Sequence, residues 1–401
     1  MARRFLPDCS EGAFAALVES ARDRSPVSGL THNFYRYPAR FSPKFVRATI
    51  AALSEPGDLV LDPFMGGGTT LVEALALGRH AVGTDISSLA TFVSEVKTTL
   101  YNDDELETLK DWSIRTASLV HMHRQGSTDE MYAEAGYYRH MDNSSTWRLR
   151  KAIEQCLKSA MHLDSVKLER FARCAILRTA QWALDGRKIL PSIAEFREMF
   201  PVYASEMIEG ARQLRVAAEA ACNDRKSIVR CLNRPTAGLE EVPLLTKMQK
   251  PKLVLTSPPY PGIHVLYHRW QVDGRKETPA PFWIANKLNG SGAAYYTMGD
   301  RKAHELRTYF DNLRTALRSV AALCSKDTTI VQVMAFSEPL WQMPRYLSVA
   351  DDAGLKEFFL PTLKNIADGR LWRFVPNRKW HANQKGKTNG SQEVVLFHRL
   401  A

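Results

Sequence analysis

Two hydrophobic patterns divide the chain. Short, nearly unbroken apolar runs at 57–62, 80–85, 227–232, 252–257 and 328–334 read as strands covered on both faces, with two more near 355–360 and 393–399. Apolar residues at turn spacing mark helices from Glu11 to Ala21, Pro43 to Leu53, Leu71 to Leu77 and about Lys302 to Cys324. Gly78 stops the third of these, and Ser87 stands as the N-cap of a further helix. From about Asn102 to Asn223 the period is helical: Leu157, Leu163, Val166, Leu168, Phe171, Ala175 and Leu177 recur at helical spacing. Strand, tight turn, helix, strand over 57–85 is a βαβ unit. The expectation is an α/β fold, a mostly parallel twisted sheet with helices on both faces and a helical insertion between its second and third strands. Residues 1–100 and 226–401 form the two parts of the sheet domain, and 101–225 the insertion.

Composition narrows the class. The 401 residues, 45% hydrophobic and 24% charged, are those of a globular protein, which excludes disorder and collagen-like repeats. No run of about 18 uncharged apolar residues occurs, so no membrane span is expected. The opening Met1-Ala-Arg-Arg-Phe-Leu-Pro-Asp8 meets an acid before any apolar run develops, so no secretory leader is expected. Six scattered cysteines without a Cys-x-x-Cys pair point to reduced thiols in the cytoplasm. The 54 Lys and Arg against 43 Asp and Glu give a net charge of +11, which favours a polyanionic partner and says nothing about fold.

The first candidate for chemistry is the turn Asp62-Pro-Phe-Met-Gly-Gly-Gly-Thr-Thr70. Glycines at 66, 67 and 68 let backbone approach a ligand, and the helix that follows offers free N–H groups. This is no phosphate loop, since Gly-Lys-Ser/Thr is absent, and no Gly-x-Gly-x-x-Gly, since Leu71 holds the last position. Asp62 would repel a pyrophosphate but would pair with an amine, and Asp85 stands where an acid grips ribose hydroxyls in nucleotide-binding folds. A cationic, amino-acid-like ligand bearing a ribose fits, and S-adenosyl-L-methionine is the common one. The second candidate is Thr256-Ser-Pro-Pro-Tyr260 at the carboxyl end of an apolar run. Pro258 and Pro259 lack N–H groups and fix φ, which leaves carbonyls as acceptors for an amine. Ser257 adds a side-chain oxygen, and Tyr260 a face for stacking a base.

Together these motifs resemble the S-adenosylmethionine-dependent amino-methyltransferases of DNA. The Ser-Pro-Pro-Tyr form is similar to the cytosine-N4 branch, whereas adenine-N6 enzymes usually carry Asn or Asp where Ser257 stands. The segment Tyr35-Arg-Tyr-Pro-Ala-Arg-Phe-Ser-Pro43 resembles the motif that this family places before its glycine turn, closing over the methionine end of the cofactor. The resemblance spans 31–99 and 227–400 in outline and is sharp at these three motifs. It implies a Rossmann-like class I methyltransferase fold and a cofactor site of Tyr37, Pro38, Phe41, Asp62, Pro63, Phe64, Gly66, Gly68, Thr69, Asp85, Ile86 and Asn233. Asp62 would hold the methionine amino group, Asp85 the ribose and Ile86 the adenine. Asn233 stands in for an acid usual after the third strand. Ser257, Pro258, Pro259 and Tyr260 would be catalytic. No cysteine follows a proline, so the Pro-Cys nucleophile of cytosine-C5 enzymes is absent.

The partner so implied is DNA, with a cognate restriction endonuclease beside it in a cytoplasmic, nucleoid-associated setting. An adenine-N6 or RNA-base amino-methyltransferase, and a degenerate cofactor-binding DNA-binding module, stay open as alternatives. Three segments compete for DNA contact. The loop of 262–276 offers Arg269, Trp270 and Arg275; the basic stretch of 361–401 offers Arg373, Arg378, Lys379 and Trp380; and the insertion carries Arg139, Arg148, Arg150 and Lys151. His264 and His268, four residues apart, have no third ligand nearby, and no metal site is expected.

Overall fold

The computed structural model describes residues 3–7, 11–37, 41–124, 129–221, 227–262, 269–274, 276–289, 298–299, 305–376 and 390–401. Within these, five parallel strands lie side by side: β3 (Val229–Asn233), β2 (His80–Asp85), β1 (Leu59–Asp62), β4 (Leu253–Thr256) and β7 (Thr329–Met334). Beyond β7 comes β10 (Gly390–Leu400), antiparallel to it. The far edge of β10 pairs first with β9 (Leu371–Pro376) and then with β8 (Leu355–Phe358), both antiparallel. A separate hairpin joins β5 (Trp270–Val272) to β6 (Lys276–Thr278).

The apolar runs are strands because alternate side chains feed two cores. Val60, Leu253, Leu255, Val331 and Val333 face α1 (Glu11–Arg22) and α2 (Pro43–Leu53). Leu59, Leu61, Val254, Ile330 and Met334 face α12 (Arg307–Leu323) and α13 (Pro339–Asp352) on the other side. β1, β4 and β7 are buried at every position. This is the Rossmann-like arrangement. From β1 the chain winds outward through α3 (Thr69–Ala76) to β2 and α4 (Ser88–Thr98), then to β3, and β4 starts the opposite half. The gap between the carboxyl ends of β1 and β4 is therefore the switch point at which open α/β sheets bind ligands.

Between α4 and β3 stand α5 (Asp103–Leu119), α6 (Glu130–Glu134), α7 (Trp147–Ala160), α8 (Val166–Leu184) and α9 (Ile193–Ala220). Asn102 and Ser192 close capping boxes at the starts of α5 and α9, and Ser165 caps α8 through the Leu168 N–H. Their apolar faces share one cluster with Phe34, Tyr35 and Tyr37, with Leu89, Phe92 and Val93 of α4, and with Trp270, Phe282 and Trp283.

Several elements fall outside the sequence expectation. The stretch 371–376 reads as part of a basic loop yet forms β9, because Arg373 breaks an otherwise apolar strand while pointing into the core. α13 carries Pro344 inside it, and the β5–β6 strands are only three residues each.

Candidate active site

Asp62 ends β1 and Asp85 ends β2, so parallel pairing sets both carboxylates at one rim of the sheet. Asp62 is buried, 3% exposed; its Oδ1 accepts from Thr256 Oγ1 at 2.7 Å and from the Phe64 N–H at 3.2 Å. Asp85 accepts from the Gly66 N–H at 3.1 Å on one oxygen and from the Ser87 N–H at 2.8 Å on the other. Burial raises each carboxyl to about 6, and for Asp85 the Asp62 charge adds to the rise. Neither forms an ion pair among the described residues, so the buried Asp62 and the half-buried Asp85 stand at this rim without a protein cation. That set fits a ligand with an ammonium for Asp62 and hydroxyl donors for Asp85.

The glycine turn is held by packing that the sequence does not reveal. Gly68 takes a φ of +73°, and a Cβ there would lie 2.5 Å from Ser94 Oγ of α4. A Cβ on Gly67 would lie 2.9 Å from Tyr37 Cβ. These two glycines thus admit the protein's own side chains, whereas the sequence suggested close approach by a ligand. The turn's carbonyls are fastened too: Ser94 Oγ donates to Gly66 O at 3.1 Å, and the fully buried Lys97 donates from Nζ to Gly67 O at 2.8 Å. A lysine on the apolar face of α4 was the available signal for this brace.

The other expected cofactor residues surround this rim. Tyr37 is buried over the glycines, with its ring 3.2 Å from where a Gly66 Cβ would be. Phe41 packs edge-on to Phe45, at the start of α2. Pro63 O accepts from Thr236 Oγ1 at 2.6 Å, Thr69 opens α3, Phe64 is half-buried, and Ile86 lies 44% exposed just past β2. Asn233 donates from Nδ2 to the Asp85 carbonyl at 3.0 Å, which places it beside the Asp85 turn. Pro38 lies outside the described residues.

Ser257 to Tyr260 follow β4 directly, and the Thr256–Asp62 hydrogen bond joins this corner to the acid of the glycine turn. Tyr309 Oη donates to Pro259 O at 2.7 Å, while the Pro258 carbonyl accepts no hydrogen bond among the described residues. Ser257 Oγ lies 3.1 Å from Tyr260 Oη and 3.2 Å from Val333 O. Tyr260 Oη donates to Glu393 of β10 at 2.9 Å, and burial followed by the Glu393 charge pushes its hydroxyl well above its ordinary titration range. Glu393 in turn pairs with Arg373 at 3.4 Å.

Two residues expected to touch DNA are structural instead. Trp270 is 1% exposed and donates from Nε1 to Tyr35 Oη at 3.1 Å, because β5 packs under the insertion. Arg373 is 8% exposed, set between Glu393 and the Phe45 ring. Arg269 is half-buried, and Arg275, Arg378, Lys379, Trp380, His264 and His268 lie outside the described residues.

The doubly wound sheet thus brings the buried Asp62, the half-buried Asp85 and the diproline corner to the carboxyl ends of neighbouring strands. Residues 19–91 match the model of a DNA methylase family of the N6/N4 type. A type II methyltransferase, M.MjaII of Methanocaldococcus jannaschii, is 34% identical over 95 residues, covering 24% of this chain and 17% of that protein. M.MvaI of Kocuria varians, another type II methyltransferase, is 35% identical over 98 residues, 23% of this chain and 22% of its own. The DNA adenine methyltransferase YhdJ of Escherichia coli is 39% identical over 62 residues, 16% of this chain and 21% of its own. The matched segment is thus only about a fifth of the length of these relatives. A solved rRNA methyltransferase, aviRa of Streptomyces viridochromogenes, aligns over 91% of this chain and 89% of its own at 10% identity and a TM-score of 0.33. The segment that carries Asp62 and Asp85 is therefore similar to the matching segment of DNA methylases of this type.

Proposed function

We propose that this chain methylates the exocyclic N4 amine of a cytosine turned out of DNA, with S-adenosyl-L-methionine as methyl donor. The observation that carries the reading is the hydrogen bond from Thr256 to Asp62, which ties the amine-accepting corner to the acid of the cofactor turn. The cofactor supplies an electrophilic methyl on a positively charged sulfur. Asp62 and Asp85 hold its amino and ribose groups. An aromatic amine is a poor nucleophile because its lone pair delocalises into the ring. Ser257 Oγ and Pro258 O accept its two N–H groups, which localises the pair and orients it. Attack is direct, without a covalent enzyme–base adduct; Cys156, Cys174 and Cys324 are buried in the interior, where their thiols are pushed up to about 12. A base in a duplex reaches this corner only by flipping out, onto the Tyr260 ring.

Ser257 favours cytosine, and the type II relatives favour a role beside a restriction endonuclease. The adenine methyltransferase among the relatives supports a second reading, transfer to adenine N6 by the same corner. Mass spectrometry of nucleosides from DNA of a methylation-free host expressing the chain tests both. N4-methylcytosine is the expected product. N6-methyladenine would move the reading to adenine, and DNA without any methylated base would overturn it.

A further inference from the structure

A hydrogen-bonded line leads from the amine-accepting corner into the antiparallel half of the sheet. Ser257 Oγ donates to Tyr260 Oη at 3.1 Å, and Tyr260 Oη donates to Glu393 Oε1 at 2.9 Å. The Tyr260 hydrogen points toward the carboxylate, and the single Ser257 hydrogen is shared between Tyr260 Oη and the Val333 carbonyl at 3.2 Å. Glu393 is 5% exposed and is held on its other oxygen by Arg373 at 3.4 Å, itself 8% exposed and stacked on Phe45. Burying the Glu393–Arg373 ion pair costs desolvation energy that the place of Glu393 on β10 alone does not require. Its side chains come from three segments more than a hundred residues apart in part, and they converge on one hydroxyl of the catalytic corner.

We propose that Glu393 is a positioning and proton-accepting residue of the transfer step, acting through Tyr260 and Ser257. The proposal rests on the amino-methyltransferase reading and holds for either target base. As the nitrogen–methyl bond forms, the methyl would leave the cofactor's sulfur, that bond's pair staying on sulfur as a neutral thioether; the amine turns cationic and an N–H bond breaks, its electron pair staying on nitrogen. That proton passes to Ser257 Oγ, the Ser257 proton to Tyr260 Oη, and the Tyr260 proton to Glu393, which ends neutral. Both hydroxyls are regenerated, and no further reactant is consumed. The Glu393 charge also stabilises the positive charge that develops on the amine, through the polarised hydroxyls between them.

The test is single-turnover methylation in H2O and D2O by the full chain and by Glu393→Gln, Tyr260→Phe and the double variant. Glutamine can still accept from Tyr260 but cannot take its proton, and phenylalanine keeps the ring while leaving the Glu393–Arg373 pair intact. Each single variant is expected to slow transfer by at least ~10-fold, with cofactor and DNA affinities within about 3-fold of the parent. Each is also expected to lose the solvent isotope effect of the parent, and the double variant to be no slower than the slower single one. A parental rate or isotope effect in either single variant, or losses that multiply in the double, would overturn the proposal. Should Glu393→Gln fail to fold with Arg373 left unpaired, Tyr260→Phe decides alone. A parent chain that methylates no base would sink the amino-methyltransferase reading itself, a result distinct from any of these.

Discussion

Asp62 shows what burial does to a single carboxyl at the rim of the sheet. Its carboxyl titrates near 3.8 when free in water and at about 6 in the fold, because burial penalises the charge more than Thr256 and the Phe64 N–H favour it. The folded protein therefore binds this proton more tightly than the unfolded chain does. The stability it adds is fully present below about pH 3.8 and is lost as pH rises through about 6. At neutral pH the ionised acid is a standing cost, which on the proposed reading an ammonium from the cofactor offsets. Asp62→Asn is accordingly expected to leave ligand-free stability at pH 7.5 unchanged or raised by on the order of 1 kcal/mol. It is also expected to weaken S-adenosylmethionine binding by at least ~10-fold. Denaturant titration and calorimetry measure the two effects, and undiminished cofactor affinity would remove Asp62 from the site. For the parent, cofactor affinity is expected to fall as pH drops below about 6, where Asp62 and Asp85 take up protons.

Among elements, the glycine turn and α4 form one unit. Gly68 needs both its left-handed φ of +73° and the missing Cβ that would meet Ser94 Oγ at 2.5 Å. Gly68→Ala is expected to destabilise the fold by about 2–4 kcal/mol in denaturant titration; a change under ~0.5 kcal/mol would contradict this packing. The strands that frame the turn were legible in the sequence because two-sided burial leaves unbroken apolar runs at β1, β2, β4 and β7. The elements that escaped had mixed signals. Arg373 disguised β9, Pro344 interrupted α13, and the three-residue strands beside Asp273-Gly274 were too short to show alternation. The placement of Asp62, Asp85 and Ser257 to Tyr260 at one rim was legible because each ends a legible strand or follows one directly. That of Lys97 and Glu393 was not, since their roles depend on contacts 30 and 133 residues away.

At the scale of the whole molecule, the insertion ties down two segments outside it. Gln181 near the end of α8 accepts from the Arg36 N–H and donates to the Arg36 carbonyl, both at 3.0 Å, in the aromatic segment that leads to Tyr37. One turn further on, Asp185 accepts from the Gln271 N–H at 3.1 Å and the Gly186 N–H donates to Gln271 O at 2.8 Å, which holds the strand after the catalytic corner. One helix end thus fixes the segment before Tyr37 and strand β5 relative to each other. The central claim is that Asp62 and the Ser257–Tyr260 corner serve one reaction. A crystal structure with an S-adenosylmethionine analogue bearing an amine in place of the sulfonium methyl tests it most directly. The account predicts the analogue's amino-acid ammonium at hydrogen-bond distance from Asp62, about 3 Å, and the replacing amine turned toward Ser257 and Pro258. An analogue bound away from Asp62, or one whose replacing amine points away from residues 257–260, would contradict it.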